Sequence, residues 1–161
     1  MSGRMIVLVT GSGSGIGRAV AQVLARAGHC VYASMRLSSE HGRAQADEAR
    51  QFAAREGADL RVVEMDVLSE ASCRAAVDQV VAEQGRIDVV VNNAGMLMLG
   101  ITEAFAPEQL AEIFDTNAIS WLRVNRAVLP AMRRQGRGVL VGVVQNPAFL
   151  GYTKRAETAG L

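Results

Sequence analysis

Eight residues, Thr10-Gly11-Ser12-Gly13-Ser14-Gly15-Ile16-Gly17, follow one apolar run and open an Ala/Val/Leu-rich one. Glycines placed there permit a sharp turn off a strand, remove a Cβ that would bar an approaching phosphate, and let the next helix start close to a sheet. The free N–H groups of the helix start would then face the anion. The spacing is G-x-x-x-G-x-G at Gly11, Gly15 and Gly17; no window reads G-x-G-x-x-G, and the G-K-S/T ending of a nucleoside-triphosphate loop is absent. A turn that binds nothing is the plain alternative. Asp66 stands at the end of a later apolar run, where open α/β sheets bind ligands, so its carboxylate could accept an amino group; an N-cap is its structural alternative, and Ser69 suits that task better. Cys30 and Cys73 form no CxxC and pair with no histidine, so no metal is expected. Of 17 basic residues only Lys154 is a lysine, and chemistry that needs one must use it.

Those residues need a scaffold that sets them at one edge. Short β-branched runs alternate with longer helical patterns, the signature of βαβ units and a parallel sheet covered on both faces. Strands are expected at Met5–Val9, Cys30–Ser34, Leu60–Met65, Ile87–Val91 and Val139–Val144, apolar on both faces as double cover requires. Helices are expected at about 16–28, 40–56, 69–84 and 107–134, joined by right-handed crossovers. The fold class is therefore α/β, a doubly wound parallel sheet of five strands. In the second helix, Arg43 and Asp47 read as a solvated face. In the last, Leu110, Ile113, Phe114, Trp121, Val124 and Val128 read as one apolar stripe with Asn117 inside it, where its amide needs partners. Those partners could be structural or belong to a site.

Composition narrows the classes further. Half of the 161 residues are apolar, a fifth are charged, and the net charge is +1, which argues against a disordered chain and against electrostatic binding to nucleic acid or a membrane surface. One domain of this length buries roughly 70% of its unfolded surface. No apolar stretch approaches the ~18 residues of a membrane span, and with no secretory leader and no disulfide framework a reducing cytoplasm is expected. The division expected is 1–144 as a nucleotide-binding domain and 145–161 as an atypical tail, without strand or helix period.

In this order and spacing the motifs resemble those of the classical short-chain dehydrogenases/reductases. TGSGSGIG looks like that family's cofactor motif. Met65-Asp66-Val67 resembles its acidic residue for the adenine ring, and Asn92-Asn93-Ala94-Gly95 its NNAG motif, which stabilises the central sheet and lines the cofactor site. Asn117, in Asp115-Thr116-Asn117-Ala118, resembles the asparagine of its catalytic tetrad. The resemblance runs from Met5 to about Val144. It implies a Rossmann-type sheet of order 3-2-1-4-5, incomplete relative to the family, with Asn117 as a catalytic residue. It also implies cofactor contacts from Gly11, Ser12, Ser14, Gly15, Ile16, Gly17, Ser34, Arg36, Asp66, Val67, Asn93, Ala94 and Gly95. The implied reaction moves a hydride between a nicotinamide and an alcohol or carbonyl substrate.

The second strand carries no Asp or Glu where an NAD enzyme places a carboxylate on the ribose 2′-hydroxyl; Ser34 occupies that place. Arg36, two residues on, can fork onto a 2′-phosphate in a charge-assisted contact worth about 1.5–3 kcal/mol. NADP(H) is thus expected over NAD(H), a surface arginine being the alternative. The family's serine is not found after the fifth strand, where Val144 or Gln145 stands. Its Y-x-x-x-K is not found either, since Tyr152 has Lys154 at two residues and Ala156 at four. Neither role is transferred. The expectations are an oxidoreductase of this family whose chain has lost turnover, a non-catalytic NADP-binding module, or an inactive fragment, with a reading-frame shift near Val144 as the cause of the break. Met96 to Leu99 reads as an apolar substrate lip or as loop packing. An open edge on the fifth strand makes self-association the expected partnership.

Overall fold

The computed structural model describes residues 3–144 and 149–151. Seven strands and five helices follow in chain order. They are β1 (Ile6–Val9), α1 (Gly15–Arg26), β2 (Cys30–Met35), α2 (Glu40–Glu56), β3 (Leu60–Glu64), α3 (Glu70–Gln84) and β4 (Val89–Asn92). After these come β5 (Met98–Gly100), α4 (Pro107–Phe114), α5 (Ser120–Arg134), β6 (Val139–Gly142) and β7 (Phe149–Gly151). The main sheet is parallel, in the order β3-β2-β1-β4-β6, with Leu8 level with Tyr32 on one side and Val90 on the other. This is the expected five-strand order; the fifth sheet strand is sixth in the chain because β5 intervenes.

Alternation along β1 and β2 sends side chains into two separate cores. Leu8, Cys30 and Tyr32 meet Val77, Val80, Val124 and Val128 of α3 and α5 on one face. Val7, Val9, Val31 and Ala33 meet Ala21, Ala25, Ala46 and Phe52 of α1 and α2 on the other. The small residues let those helices lie close to the sheet. Serine caps start α2 and α3: Ser39 accepts from the Gly42 N–H at 3.0 Å, and Ser69 from the Ser72 N–H at 3.2 Å. Gly57 and Gly85 end them in the left-handed conformation, at φ 62° and 74°. A polar knot crosses the first core, where the Tyr32 hydroxyl donates to Glu83 at 2.6 Å and accepts from Gln84 and Arg61.

Three features depart from expectation. The helix expected over 107–134 runs that whole length but holds a π-type turn at Asp115–Ile119, where α4 passes into α5 without leaving right-handed helical angles. Its apolar positions form two rows instead of one: Ile113, Val124 and Val128 are buried in or toward the core, while Leu110 and Phe114 are 53% and 61% exposed. A hydrophobic arc wide enough to hold both rows looks like a single stripe in sequence. Secondly, β6 pairs with β4 along its length yet is not buried, Val139 and Leu140 being 53% and 39% exposed. It is the sheet edge, and apolar character there is not matched by cover among the described residues. Finally, the tail read as lacking a strand contributes β7, which pairs in parallel with β5. Three residues are too few to show a period of two.

Candidate functional site

The glycine turn is built as a cradle. Gly11 lies at φ 64°, and a Cβ there would come within 2.8 Å of the Ala94 backbone. A Cβ on Gly17 would collide with the Asn93 amide and the Gly11 carbonyl, so α1 can start against the end of β4 only with glycine in that place. Ser12 is buried, its hydroxyl donating to the Val9 carbonyl at 2.6 Å and its N–H to the Ser34 carbonyl at 2.9 Å, which fastens the turn to β2. The first turn of α1 has no side-chain cap and no acidic residue. Its N–H groups are therefore left for an outside acceptor.

A residue that motif reading passed over joins the two central strands. Thr10 Oγ1 accepts from the backbone N–H of both Asn93 and Ala94, at 2.9 Å each, and lies 3.4 Å from the Val91 carbonyl. Asn93 Nδ2 donates in return to the carbonyls of Thr10 and Gly11, at 2.9 and 3.1 Å. Its Oδ1 is buried without a hydrogen-bond partner among the described residues. The signal was present in the sequence as the threonine opening the glycine run.

Above these strand ends lies a cleft of about 690 Å³. Its wall brings together Gly11, Ser14, Gly15, Ile16, Arg36, Asp66, Val67, Asn93, Ala94 and Gly95 from the expected site. Ser12 and Gly17 stand behind it as supports. Ser34 does not reach it: the residue is fully buried and its hydroxyl is 3.7 Å from Met65 Sδ. Strand alternation explains this, because Ser34 shares the face of Tyr32 and points away from the glycine turn. Asp66 Oδ1 accepts from the Leu68 N–H at 3.0 Å, while Ser69 caps α3. Arg36 has no side-chain hydrogen bond or ion pair among the described residues, unlike most arginines of the chain. The cleft also reaches Glu112, Asp115 and Thr116, which motif reading left out as candidates.

Asn117 lies outside this cleft, in the π-type turn. Its Oδ1 accepts from the Met96 N–H at 2.8 Å and its Nδ2 donates to the Met96 carbonyl at 2.9 Å. It faces a second cavity, about 290 Å³, shared with Asn93, Ala94 and Gly95 and otherwise walled by apolar groups including Phe114, Trp121 and Val143. No titratable side chain lines that cavity among the described residues. Tyr152 and Lys154 lie outside the described residues, and burial together with the bond to Glu83 pushes the Tyr32 hydroxyl up to about 12. Among the described residues no group of three or more His, Cys, Asp or Glu is placed to hold a metal, and no helix is long and apolar enough to cross a membrane.

These features suit a dinucleotide. The uncapped helix start, the open space over Gly15 and the glycines that bring the backbone close all fit a pyrophosphate. A doubly wound parallel sheet whose glycine turn sits at the crevice between β1 and β4 defines a Rossmann-type nucleotide-binding fold. The family model described as short chain dehydrogenase matches residues 5–156, and the chain belongs to that family.

The chain is 36% identical over 139 residues to 3-ketodihydrosphingosine reductase of Bacteroides thetaiotaomicron, covering 86% of this chain and 46% of that protein. It is 34% identical over 162 residues to the 3-oxoacyl-(acyl-carrier-protein) reductase of Escherichia coli, covering 97% and 62%. Among solved structures, a short-chain dehydrogenase from Streptomyces avermitilis superposes with a TM-score of 0.74 at 30% identity, covering 87% and 49%. An alcohol dehydrogenase from Thermococcus sibiricus complexed with 5-hydroxy-NADP superposes with a TM-score of 0.72 at 28% identity, covering 86% and 57%. The chain thus spans about half the length of the curated relatives it matches. The family model runs on to residue 156, past the end of the resemblance expected near Val144, while the match to the Bacteroides reductase spans 139 residues.

Proposed function

We propose that this chain is the cofactor-binding portion of a short-chain oxidoreductase that takes NADP(H) in preference to NAD(H), with an alcohol or carbonyl compound as the substrate of the whole enzyme. The observation that carries the reading is the unpartnered Arg36 guanidinium on the wall of the glycine-lined cleft. A charged fork without an intramolecular partner, at the end of a strand lacking the ribose-binding carboxylate, suits a 2′-phosphate. The turn at Gly11–Gly17 would hold the pyrophosphate through first-turn N–H groups, and Asp66 would accept from the adenine amino group. When bound, NADP(H) supplies or accepts the hydride. Asn117 would serve by holding Met96 and with it the strand-end loop beside the second cavity, as the asparagine of the family's tetrad.

A second reading rests on the same second cavity, whose described lining offers amides and apolar groups but no proton donor. Under it the chain binds NADP(H) without turnover. Calorimetric titration tests the first reading. NADPH should bind about tenfold or more tightly than NADH, with Arg36→Leu closing most of the gap, as expected for losing a charge-assisted contact; equal affinities in the unaltered chain would refute it. Nicotinamide absorbance over a panel of alcohols and ketones tests the second reading, which turnover by this chain would exclude.

A further inference from the structure

Gly13 has a use beyond admitting phosphate. A Cβ there would collide with the Gln45 side-chain amide, which comes from α2 and lies over the glycine turn. Gln45 is in turn hydrogen-bonded to His41, with 2.9 Å between the amide nitrogen and the imidazole Nε2. Both side chains lie on the cleft wall with Arg36 and Ser39. Gly42 brings them there, since a Cβ at that position would strike the Arg36 carbonyl, and α2 therefore begins pressed against the residue after β2. Arg43 secures the connecting loop by donating to the carbonyls of Leu37 and Ser38, at 3.2 and 3.4 Å.

Chemically this is a polar pair with one end free. The imidazole uses Nε2 on Gln45 and leaves Nδ1 without a partner among the described residues. An imidazole anchored at one nitrogen loses little rotamer freedom when the other donates to an anion. Ser39 has its hydroxyl engaged by the Gly42 N–H, and Glu40, the carboxylate of the same turn, is not part of the cleft wall. Donors available at this end of the cleft are then Arg36 and His41.

We propose that His41, held by Gln45, is a second specificity-determining residue for the 2′-phosphate, acting beside Arg36; this rests on the NADP(H) reading above. Phosphate favours donors from two directions, and here the strand end and the first turn of α2 would supply them. The same pair would have no 2′-phosphate to meet in NADH, so the effect should fall on one cofactor only.

The test is calorimetric titration of NADPH, NADH and adenosine 2′-monophosphate against the unaltered chain, His41→Ala, Gln45→Ala and Arg36→Leu. Thermal melting would confirm that each variant folds, as is expected for His41 on an exposed helical turn. His41→Ala should weaken NADPH and adenosine 2′-monophosphate by about fivefold to tenfold and leave NADH within twofold, the range of one exposed charge-assisted hydrogen bond. Gln45→Ala should weaken NADPH by less, because the imidazole survives unanchored. An equal loss of NADPH and NADH in His41→Ala, as from stacking on adenine, would overturn the proposal, and so would no loss of either. If Arg36→Leu abolishes the NADPH preference while His41→Ala leaves it intact, the inference fails and the NADP(H) reading stands. No preference in the unaltered chain refutes both.

Discussion

Strands β1 and β6 are close in composition, four residues each and almost wholly apolar, yet every residue of β1 is buried and every residue of β6 is exposed. The difference lies in their neighbours. β1 has a strand on either side and a helical layer on each face, whereas β6 has β4 on one side and an open edge on the other among the described residues. Apolar sequence states a demand for cover, and the topology decides whether that demand is met. The cleft sits beyond the carboxyl end of the central strand β1, on the part of the molecule where it is.

The comparison breaks most plainly under truncation. Leu8→Ala should destabilise the chain by about 2–5 kcal/mol in urea unfolding, and Leu140→Ala by less than about 1 kcal/mol, since only the first leaves a buried cavity. Similar losses would mean that β6 is covered in solution. Next comes Thr10→Val, which should cost about 1–3 kcal/mol by stranding the Asn93 and Ala94 N–H groups, with Thr10→Ser retaining most of the stability. A neutral Thr10→Val would show that water replaces the hydroxyl. The third effect confines titration to the buried side. Burial pushes the thiols of Cys30 and Cys73 from 9.0 up to about 11, and the Tyr32 hydroxyl from 10.0 up to about 12. Between those ordinary and raised values the folded chain holds protons that the unfolded chain has released, so the contribution of these groups to stability should be level below pH 9 and decline steadily from there towards pH 12. Cys30→Ala with Cys73→Ala should delay the onset to about pH 10, where tyrosine begins to ionise when unfolded. A decline unchanged in the double variant would assign it to other groups.

Much of this half of the molecule could be read from the chain. The strands at Ile6, Cys30 and Val89 were legible because burial on both faces leaves nearly unbroken apolar runs, the edge strand at Leu60 from Val62 and Val63 despite Arg61 and Glu64, α2 because Arg43 and Asp47 fall at helical spacing, and the start of α3 because Ser69 suits a cap. The glycine turn was legible because glycine is costly unless the backbone needs it. What failed depended on direction or distance. Ser34 was the right residue for its place in the strand but on the wrong face; the π-type turn at Asp115–Ile119 leaves helical composition undisturbed; and β5 and β7 are three residues each, too short for periodicity to register. The Gln45 amide over Gly13 joins residues thirty-two positions apart, with no motif between them.

The bonds that Thr10 and Asn93 exchange have a thermodynamic meaning besides their structural one. They join the ends of β1 and β4 where the two strands part, so the mouth of the crevice is shaped by the fold itself. The entropy of ordering that mouth is thus lost once, when the chain folds, and need not be lost again when a ligand arrives. Such a site is a mould, and a nucleotide entering it would find the phosphate end already set in its final form.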